Sequence, residues 1–467
     1  MQQASFDFGM IGLGTMGRNF LLNVVDKGFS AIGLDLDPEK ADALNQESSD
    51  RIRGVTDQAE FLAALKTPRT IMLLVPAGKV VDAIIDQLLP HLSPGDLIMD
   101  GGNSHYDDTR RRAGYLQEHG MRFLGVGVSG GEEGARKGPS IMPGGDHSAW
   151  EQVRPILEAV SAKVSRTPCV AYMGKGPAGH YVKMVHNGIE YGLMQLIAEA
   201  YDLLHRIGGL DNEALYATFD QWNKGPLMSF LIEITAEIFS EPDLETGGQL
   251  IDYILDKAKQ KGTGKWTSQS AMDLGIPVPT IDAAVTMRGL SALLDLRQRN
   301  AHNYRNGTVT PTQDVAGFTM QVEQALLFSF ILTYAQGLHL LAAADEEMDL
   351  SLDLPATARI WRGGCIIRAR LLEDIRQAYA DQPDLRHLMD SPVFRGRLKT
   401  LLPSAQEVVS QGAKAGIPLL AMSSAVHYFE ALRHNRLPLN LVQAQRDFFG
   451  AHTFERTDKA GTFHHQW

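Results

Sequence analysis

Between Tyr181 and Gly192 the chain reads YVKMVHNGIEYG. Successive residues of a helix turn by about 100°, so Lys183, His186, Asn187 and Glu190 share one face within an arc of about 100°. That face holds an amine able to take a proton, a carboxyl able to give one, and an imidazole and an amide beside them. It is equipment for proton transfer on a polar organic molecule. Lys and Glu at helical spacing also decorate ordinary solvated faces. The face becomes informative only if the rest of the chain supplies a redox partner and an anchor.

The chain has 467 residues, 44% of them hydrophobic, and a net charge of −11. This length predicts two or three domains, and the acidic balance argues against nucleic acid as a partner. Cys169 and Cys365 are the only cysteines, without metal-ligand spacing, so neither a disulfide framework nor a metal site is expected. No basic leader and no apolar run of about 18 residues is apparent, which predicts a cytoplasmic protein without a membrane anchor.

The redox partner is announced at the start. Phe6–Ile11 reads as a strand, then come Gly12-Leu13-Gly14-Thr15-Met16-Gly17 and an apolar helix to Gly28. Strand, glycine turn and helix N-terminus are what a dinucleotide pyrophosphate needs. Ala31–Asp35 gives a second strand, its acid 18 residues after Gly17. Asp35 suits the ribose hydroxyls of NAD and repels the 2′-phosphate of NADP. Asp37 before Pro38 reads as a helix N-cap.

Alternation continues with a strand at Thr70–Val75, a helix at Gly78–Leu89, and strands at Asp96–Asp100 and Arg122–Gly127. This predicts an α/β Rossmann-like domain over residues 1–178, with ligands at the carboxyl ends of the strands. Asn103 and Ser129-Gly130-Gly131 fall at those ends, and the paired glycines offer N–H groups to a carboxylate.

From about residue 179 to 435 helical periods dominate, predicting a large all-α domain for substrate and dimerisation. Within it Trp222 and Trp361 lie 139 residues apart, and Gly275-Ile276-Pro277 recurs as Gly416-Ile417-Pro418 at an offset of 141. An internal duplication would produce this. At that offset the Lys183 face corresponds to the mostly apolar EQALLFSFI, Glu323–Ile331, so packing alone does not require the polar residues.

Gln260-Lys261-Gly262-Thr263-Gly264-Lys265 looks like a phosphate-accepting loop, and Arg288 interrupts a small, apolar segment. Residues 436–467 form a tail in which Arg446 and His452 stand among aromatic residues. A tail without its own core finds burial on another subunit.

Taken together, GLGTMGRN, GGNS, GVSGGEEGARKGPSIMPGG, HYVKMVHNGIEYG, ILDKAKQKGTGKW and QRDFFGAHTFE make the chain resemble the decarboxylating 6-phosphogluconate dehydrogenases in their long form. The resemblance implies a homodimer whose tail completes the neighbouring site. It implies Lys183 as general base and Glu190 as the later acid. Asn103, Ser129, Gly130, Gly131, His186 and Asn187 would hold the sugar acid, and Tyr191, Lys261, Thr263 and Arg288, with Arg446 and His452 from the neighbour, its phosphate end. The cofactor would lie against Gly12, Gly14, Thr15, Met16, Gly17, Asp35, Val75, Pro76, Ala77 and Asn103.

Two departures bear on the cofactor. The family's Asn-Arg-Thr grip on the 2′-phosphate is here Asp35-Leu36-Asp37, and the lysine of its Val-Lys-Ala-Gly segment is here Pro76. NAD is therefore the expected cofactor, with NADP possible. The implied reaction converts 6-phosphogluconate to ribulose 5-phosphate and CO2, through a β-keto acid, without a metal. Two alternatives remain open here. A non-decarboxylating β-hydroxyacid dehydrogenase would not need the phosphate cluster or the tail, and a non-catalytic dinucleotide-binding protein would not need Lys183 and Glu190 together.

Overall fold

The computed structural model describes residues 6–47, 49–304 and 309–467. Short, largely buried runs make the strands of the sheet. These are β1 (Phe8–Ile11), β2 (Ala31–Leu34), β3 (Ile52–Val55), β4 (Thr70–Leu73), β5 (Leu97–Asp100), β6 (Arg122–Ser129) and β7 (Ser140–Gly145). They form one sheet in the order β3-β2-β1-β4-β5-β6-β7. All neighbours are parallel except β6 and β7. The chain runs outward in one direction from β1 to β3 and in the other from β4, so a crevice opens between the carboxyl ends of β1 and β4.

Helices α1 (Thr15–Asp26), α2 (Pro38–Asn45), α3 (Gln58–Ala64), α4 (Lys79–Leu88), α5 (Tyr106–Glu118), α6 (Gly131–Lys137) and α7 (His147–Val160) connect or flank these strands. Sequence reading missed β3 because its glycine and arginine blur the apolar run. It also ended β6 two residues early, whereas the strand extends to Ser129. Asp37 caps α2 as expected, accepting from Glu39 N–H at 3.1 Å.

After the small hairpin β8 (Lys163–Val164) and β9 (Thr167–Pro168), the chain becomes helical. Helix α8 (Ala178–Arg206) is 29 residues long and carries the proton-transfer face. It is followed by α9 (Asn212–Trp222), α10 (Phe230–Ser240), α11 (Thr263–Asp273), α12 (Pro279–Ala292) and α13 (Leu294–Asn303). Then come α14 (Val315–Met348), α15 (Leu354–Ile360), α16 (Leu371–Asp381), α17 (Pro392–Lys414) and α18 (Leu420–Arg433).

Helix α8 lies across β6 and β7 on one side and against α11, α12 and α14 on the other. Glycines make this approach possible. A Cβ on Gly179 would come 2.2 Å from Gly125 O, and one on Gly127 would come 2.5 Å from Lys183 Cβ. On the far side a Cβ on Gly192 would meet Thr333 Cγ2 at 2.6 Å. The main core is built around α8 and α14.

Among the described residues α14 is the one helix long and apolar enough to cross a membrane, with mean hydropathy 1.6 over its most apolar window. The sequence reading did not pick out this window. It is 83% buried within the fold, so its apolar surface already faces protein.

Several helical elements recur at a constant spacing. α10 and α16 each have 11 residues, and α12 and α18 each have 14. Gly275 and Gly416 both take φ +67° after the preceding helix. Ile276 N–H donates back to Ala271 O as Ile417 N–H does to Gly412 O.

The chain ends in α19 (Leu439–Gly450) and a hairpin of β10 (Phe454–Glu455) and β11 (Thr462–Phe463). Both fold around Asp447, whose carboxylate accepts from Thr453 N–H, His465 N–H and Trp467 Nε1–H at 2.9–3.0 Å.

Candidate active site

On α8, Lys183 and His186 are buried while Asn187 and Glu190 are partly open. Lys183 Nζ donates to Asn187 Oδ1 at 2.8 Å, and His186 Nδ1 lies 3.1 Å from the same oxygen. With the imidazole proton on Nδ1, that oxygen accepts from both groups, and Nδ1 also lies 3.4 Å from Lys183 Nζ. Nε2 is then left to accept from Ser129 Oγ, 3.3 Å away at the end of β6. Asn187 Nδ2 donates in turn to Thr263 Oγ1 at 3.1 Å. One helical face thus joins the sheet's carboxyl edge to the start of α11.

Electrostatics separate the roles. Burial pushes the Lys183 amine below its ordinary pKa, against the pull of Glu190 and Cys365. Burial likewise raises the Glu190 carboxyl above the usual carboxylate range, opposed by Lys183 and Arg288. Burial therefore shifts both groups towards their uncharged forms. His186 is held well below its ordinary value by burial and by Lys183, so it stays neutral and orients its neighbours.

The remaining polar residues gather beside this face. Gly262 has φ +102° at the start of α11, so Lys261 and Thr263 stand at a helix N-terminus. Tyr191 lies under the Arg288 guanidinium, 3.3 Å from ring centroid to Cζ. Arg288 also donates to Lys259 O at 3.2 Å. Asn103 is exposed in the loop after β5, and Gly130 and Gly131 sit at positive φ where β6 passes into α6.

The crevice between β1 and β4 holds a cavity of about 350 Å³ lined by Gly12, Gly14, Asp35, Lys40, Val75 and Pro76, among others. Its lining joins the glycine turn to the acid at the end of β2, the features a dinucleotide's pyrophosphate and ribose need. Gly12 has φ +98°, and a Cβ on Gly17 would come 1.9 Å from Gly12 O, so the turn closes tightly onto α1. A Cβ on Gly14 would meet nothing within 4 Å, which leaves open the place where a pyrophosphate approaches the helix N-terminus. Asp35 stands at the end of β2 and accepts from Leu13 N–H at 2.7 Å. Arg51 reaches back to Gly28 O and Arg53 pairs with Glu60, so neither faces the Asp35 turn.

Arg446 and His452 are not brought to this site within one chain. Both are exposed; Arg446 donates to Gln443 Oε1 at 3.1 Å and the His452 ring rests on Phe449. Among the described residues neither shares a hydrogen bond, ion pair or ring contact with the Lys183 cluster.

Three neighbours escaped sequence reasoning. Trp361 packs edge-on against His186 with centroids 5.6 Å apart. Cys365, itself pushed up to about 12 by burial, lies close enough to feel Lys183. Lys40 enters the cofactor cavity from α2, its Nζ 3.5 Å from Asp35 and 3.7 Å from Asp37. The Gly363-Gly364 pair beside Trp361 was a usable signal, since a Cβ on Gly130 would come 2.6 Å from Gly364 O. Nothing local distinguished Lys40 from any helix-surface lysine.

A Rossmann crevice in one half of the chain and a buried lysine beside a carboxyl on the helix packed against the same sheet are the equipment of a dinucleotide-dependent dehydrogenase. Residues 7–174 match the family model for the NAD binding domain of 6-phosphogluconate dehydrogenase, and residues 179–467 match its C-terminal domain. The chain therefore belongs to the decarboxylating 6-phosphogluconate dehydrogenases, and is an oxidoreductase.

It is 49% identical over 461 residues to the Bacillus subtilis 6-phosphogluconate dehydrogenase, NADP(+)-dependent, decarboxylating, with 98% of each chain covered. It is 46% identical over 468 residues to decarboxylating 6-phosphogluconate dehydrogenase 1 of Spinacia oleracea, covering 98% of this chain and 97% of that one. The Plasmodium falciparum enzyme, solved in its apo form and in complexes with its cofactor NADP+ and its substrate 6-phosphogluconate, superposes with a TM-score of 0.96. It is 44% identical, with 99% and 100% of the two chains covered.

Proposed function

We propose that this chain oxidises 6-phosphogluconate at C3 and releases CO2 to give ribulose 5-phosphate, with Lys183 as base, Glu190 as the final acid and NAD as the preferred cofactor. The observation that carries the reading is the pair on α8, a buried amine lowered and a carboxyl raised, about two turns apart on one face. A dinucleotide held by Gly12, Gly14, Thr15, Met16, Gly17 and Asp35 would supply the hydride acceptor.

Neutral Lys183 takes the C3 hydroxyl proton as the hydride leaves. The resulting β-keto acid loses CO2 as its C1–C2 pair moves into the carbonyl, and protonated Lys183 now donates to that oxygen. Glu190 then gives its proton to the enediol carbon that was C2 of the sugar acid and becomes C1 of the pentulose, while Lys183, neutral again, takes the proton from the adjacent enediol hydroxyl to leave the ketone. Asn103, Ser129, Gly130, Gly131, His186 and Asn187 hold the carboxylate and hydroxyls. Tyr191, Lys261, Thr263 and Arg288 hold the phosphate, which fixes C3 against the acceptor through binding remote from the reacting atoms.

The tail completes the site in trans. Leu439, Leu441, Phe448, Phe449 and Trp467 are exposed on it, a surface that a second copy of the chain would cover, delivering Arg446 and His452 to the partner's phosphate end.

NAD preference rests on Asp35, on Leu36 at 91% exposure where an arginine would be wanted, and on Lys40, whose charge Asp35 and Asp37 already meet. It runs against the NADP named for the Bacillus and Plasmodium relatives. Initial rates with NAD and NADP decide it, for the parent and for Asp35→Asn/Leu36→Arg/Asp37→Thr. The parent favours NAD and the triple variant shifts towards NADP; a parent that strongly favours NADP overturns the preference.

A further inference from the structure

Helix α5 turns Thr109, Arg112 and Leu116 inward. Two of these suit a core, whereas Arg112 places a guanidinium there at 1% exposure, next to Arg110 and Arg111, which are more than half exposed. Replacing the whole Arg112–Asp100 pair by apolar side chains of similar volume would be close to neutral for stability, because removing charges from water is costly even when they are paired. What the guanidinium adds is direction, since its donors lie in a fixed plane.

Those donors reach two separate loops. Arg112 Nη1 donates to Asp100 Oδ2 at 3.0 Å and to Ser104 Oγ at 3.1 Å, while Ser104 Oγ donates to the same carboxylate oxygen at 2.6 Å. Asp100 Oδ1 accepts from Gly102 N–H at 3.1 Å, so this half of the network clasps both ends of Gly101–Ser104 around Asn103. On the other side, Arg112 Nη2 donates to Gly78 O at 2.9 Å and Nε to Asp82 Oδ1 at 2.7 Å. Gly78 closes the Val75–Gly78 loop and Asp82 begins the helix after it.

We propose that Arg112 is a positioning residue for hydride transfer, locking the cofactor-facing loop after β4 to the substrate-facing loop after β5 at one buried point. The proposal rests on the reading of Val75–Ala77 as cofactor contacts and Asn103 as a contact to substrate and nicotinamide. It touches neither ligand itself. Its effect is on the distance and angle between two bound molecules, a quantity to which transfer rates are steeply sensitive.

The test compares Arg112→Lys with the parent and with Asn103→Ala, using 6-phosphogluconate carrying hydrogen or deuterium at C3. A lysine keeps the charge but holds only one of the two loops. In folded R112K, kcat falls about 10- to 100-fold, KM for the cofactor rises, and the deuterium isotope effect on kcat grows as hydride transfer becomes limiting. A lowered melting temperature with kcat, KM and isotope effect at parent values would assign Arg112 to stability alone and overturn the proposal. N103A separates the underlying reading: parent KM values in that variant would remove the substrate loop from the site, independently of R112K. Should R112K not fold, Ser104→Ala and Asp82→Asn each cut one arm and are expected to raise the isotope effect. Parent isotope effects in both overturn the proposal.

Discussion

Burial moves Lys183 and Glu190 towards each other on the pH scale, the amine down and the carboxyl up. The unfolded chain binds more protons than the folded one between the lowered Lys183 pKa and its ordinary value, so this group makes stability rise with pH across that window. The raised Glu190 has the opposite sign, stability falling as pH climbs from the ordinary carboxyl range through its folded value. Lys183→Met should cut turnover about 10²- to 10⁴-fold yet raise stability near neutral pH by about 1 kcal/mol, which initial rates and thermal melts read separately. In the parent, kcat/KM falls on acidification as Lys183 takes up a proton. Glu190→Gln should slow pentose phosphate release about 10²- to 10⁴-fold with cofactor affinity unchanged in a fluorescence titration; lost affinity would make Glu190 a structural residue. The helical face that carries these groups was legible because periodicity is local. Trp361, Cys365 and Lys40 were not, because each reaches the site only through tertiary packing that no short window records.

Elements were read well where their pattern was uninterrupted and poorly where charge or glycine broke it. The glycine turn, β2 and the Asp37 cap followed from residue type, whereas Gly54 and Arg53 concealed β3. The matching lengths of α10 with α16 and α12 with α18 extend the 141-residue spacing seen in the sequence, the pattern a duplicated unit would leave. Paired elements differ where they do different work. The N-terminus of α12 is capped by Gln336 of α14, Thr280 N–H donating to Oε1 at 3.0 Å. That of α18 is capped by Glu199 of α8, which accepts from Ala421 and Met422 N–H, both at 2.8 Å. Glu199→Ala leaves two buried donors unpaired and should cost about 1–3 kcal/mol in urea unfolding. Burial raises the Glu199 carboxyl to about 7. The folded chain therefore holds its proton longer, and stability falls as pH rises from the ordinary carboxyl range towards 7. Glu199→Gln should flatten that slope.

At the scale of the whole molecule, a site completed by a neighbour's tail has a genetic signature. A Lys183→Met subunit and an Arg446→Ala subunit are each defective alone. If the tail of one chain serves the lysine of the other, as proposed, both lesions of a mixed dimer fall on one site. Co-refolding equal amounts should restore about a quarter of parent activity, as half the dimers are mixed and each has one intact site. No restoration would place Arg446 in its own chain's site or outside any site. The close approaches along α8 then decide how such a site opens. Gly179 meets the sheet backbone while Gly192 meets Thr333, so the catalytic helix is wedged from both sides, and neither unit can swing away from it without breaking van der Waals contact along its length. With the helix held from both sides, the proposed assembly leaves admission and release to the visiting tail. On the proposed assembly the tail is the movable part of the site, so dilution that separates the subunits should lower turnover, which rates measured against enzyme concentration would show.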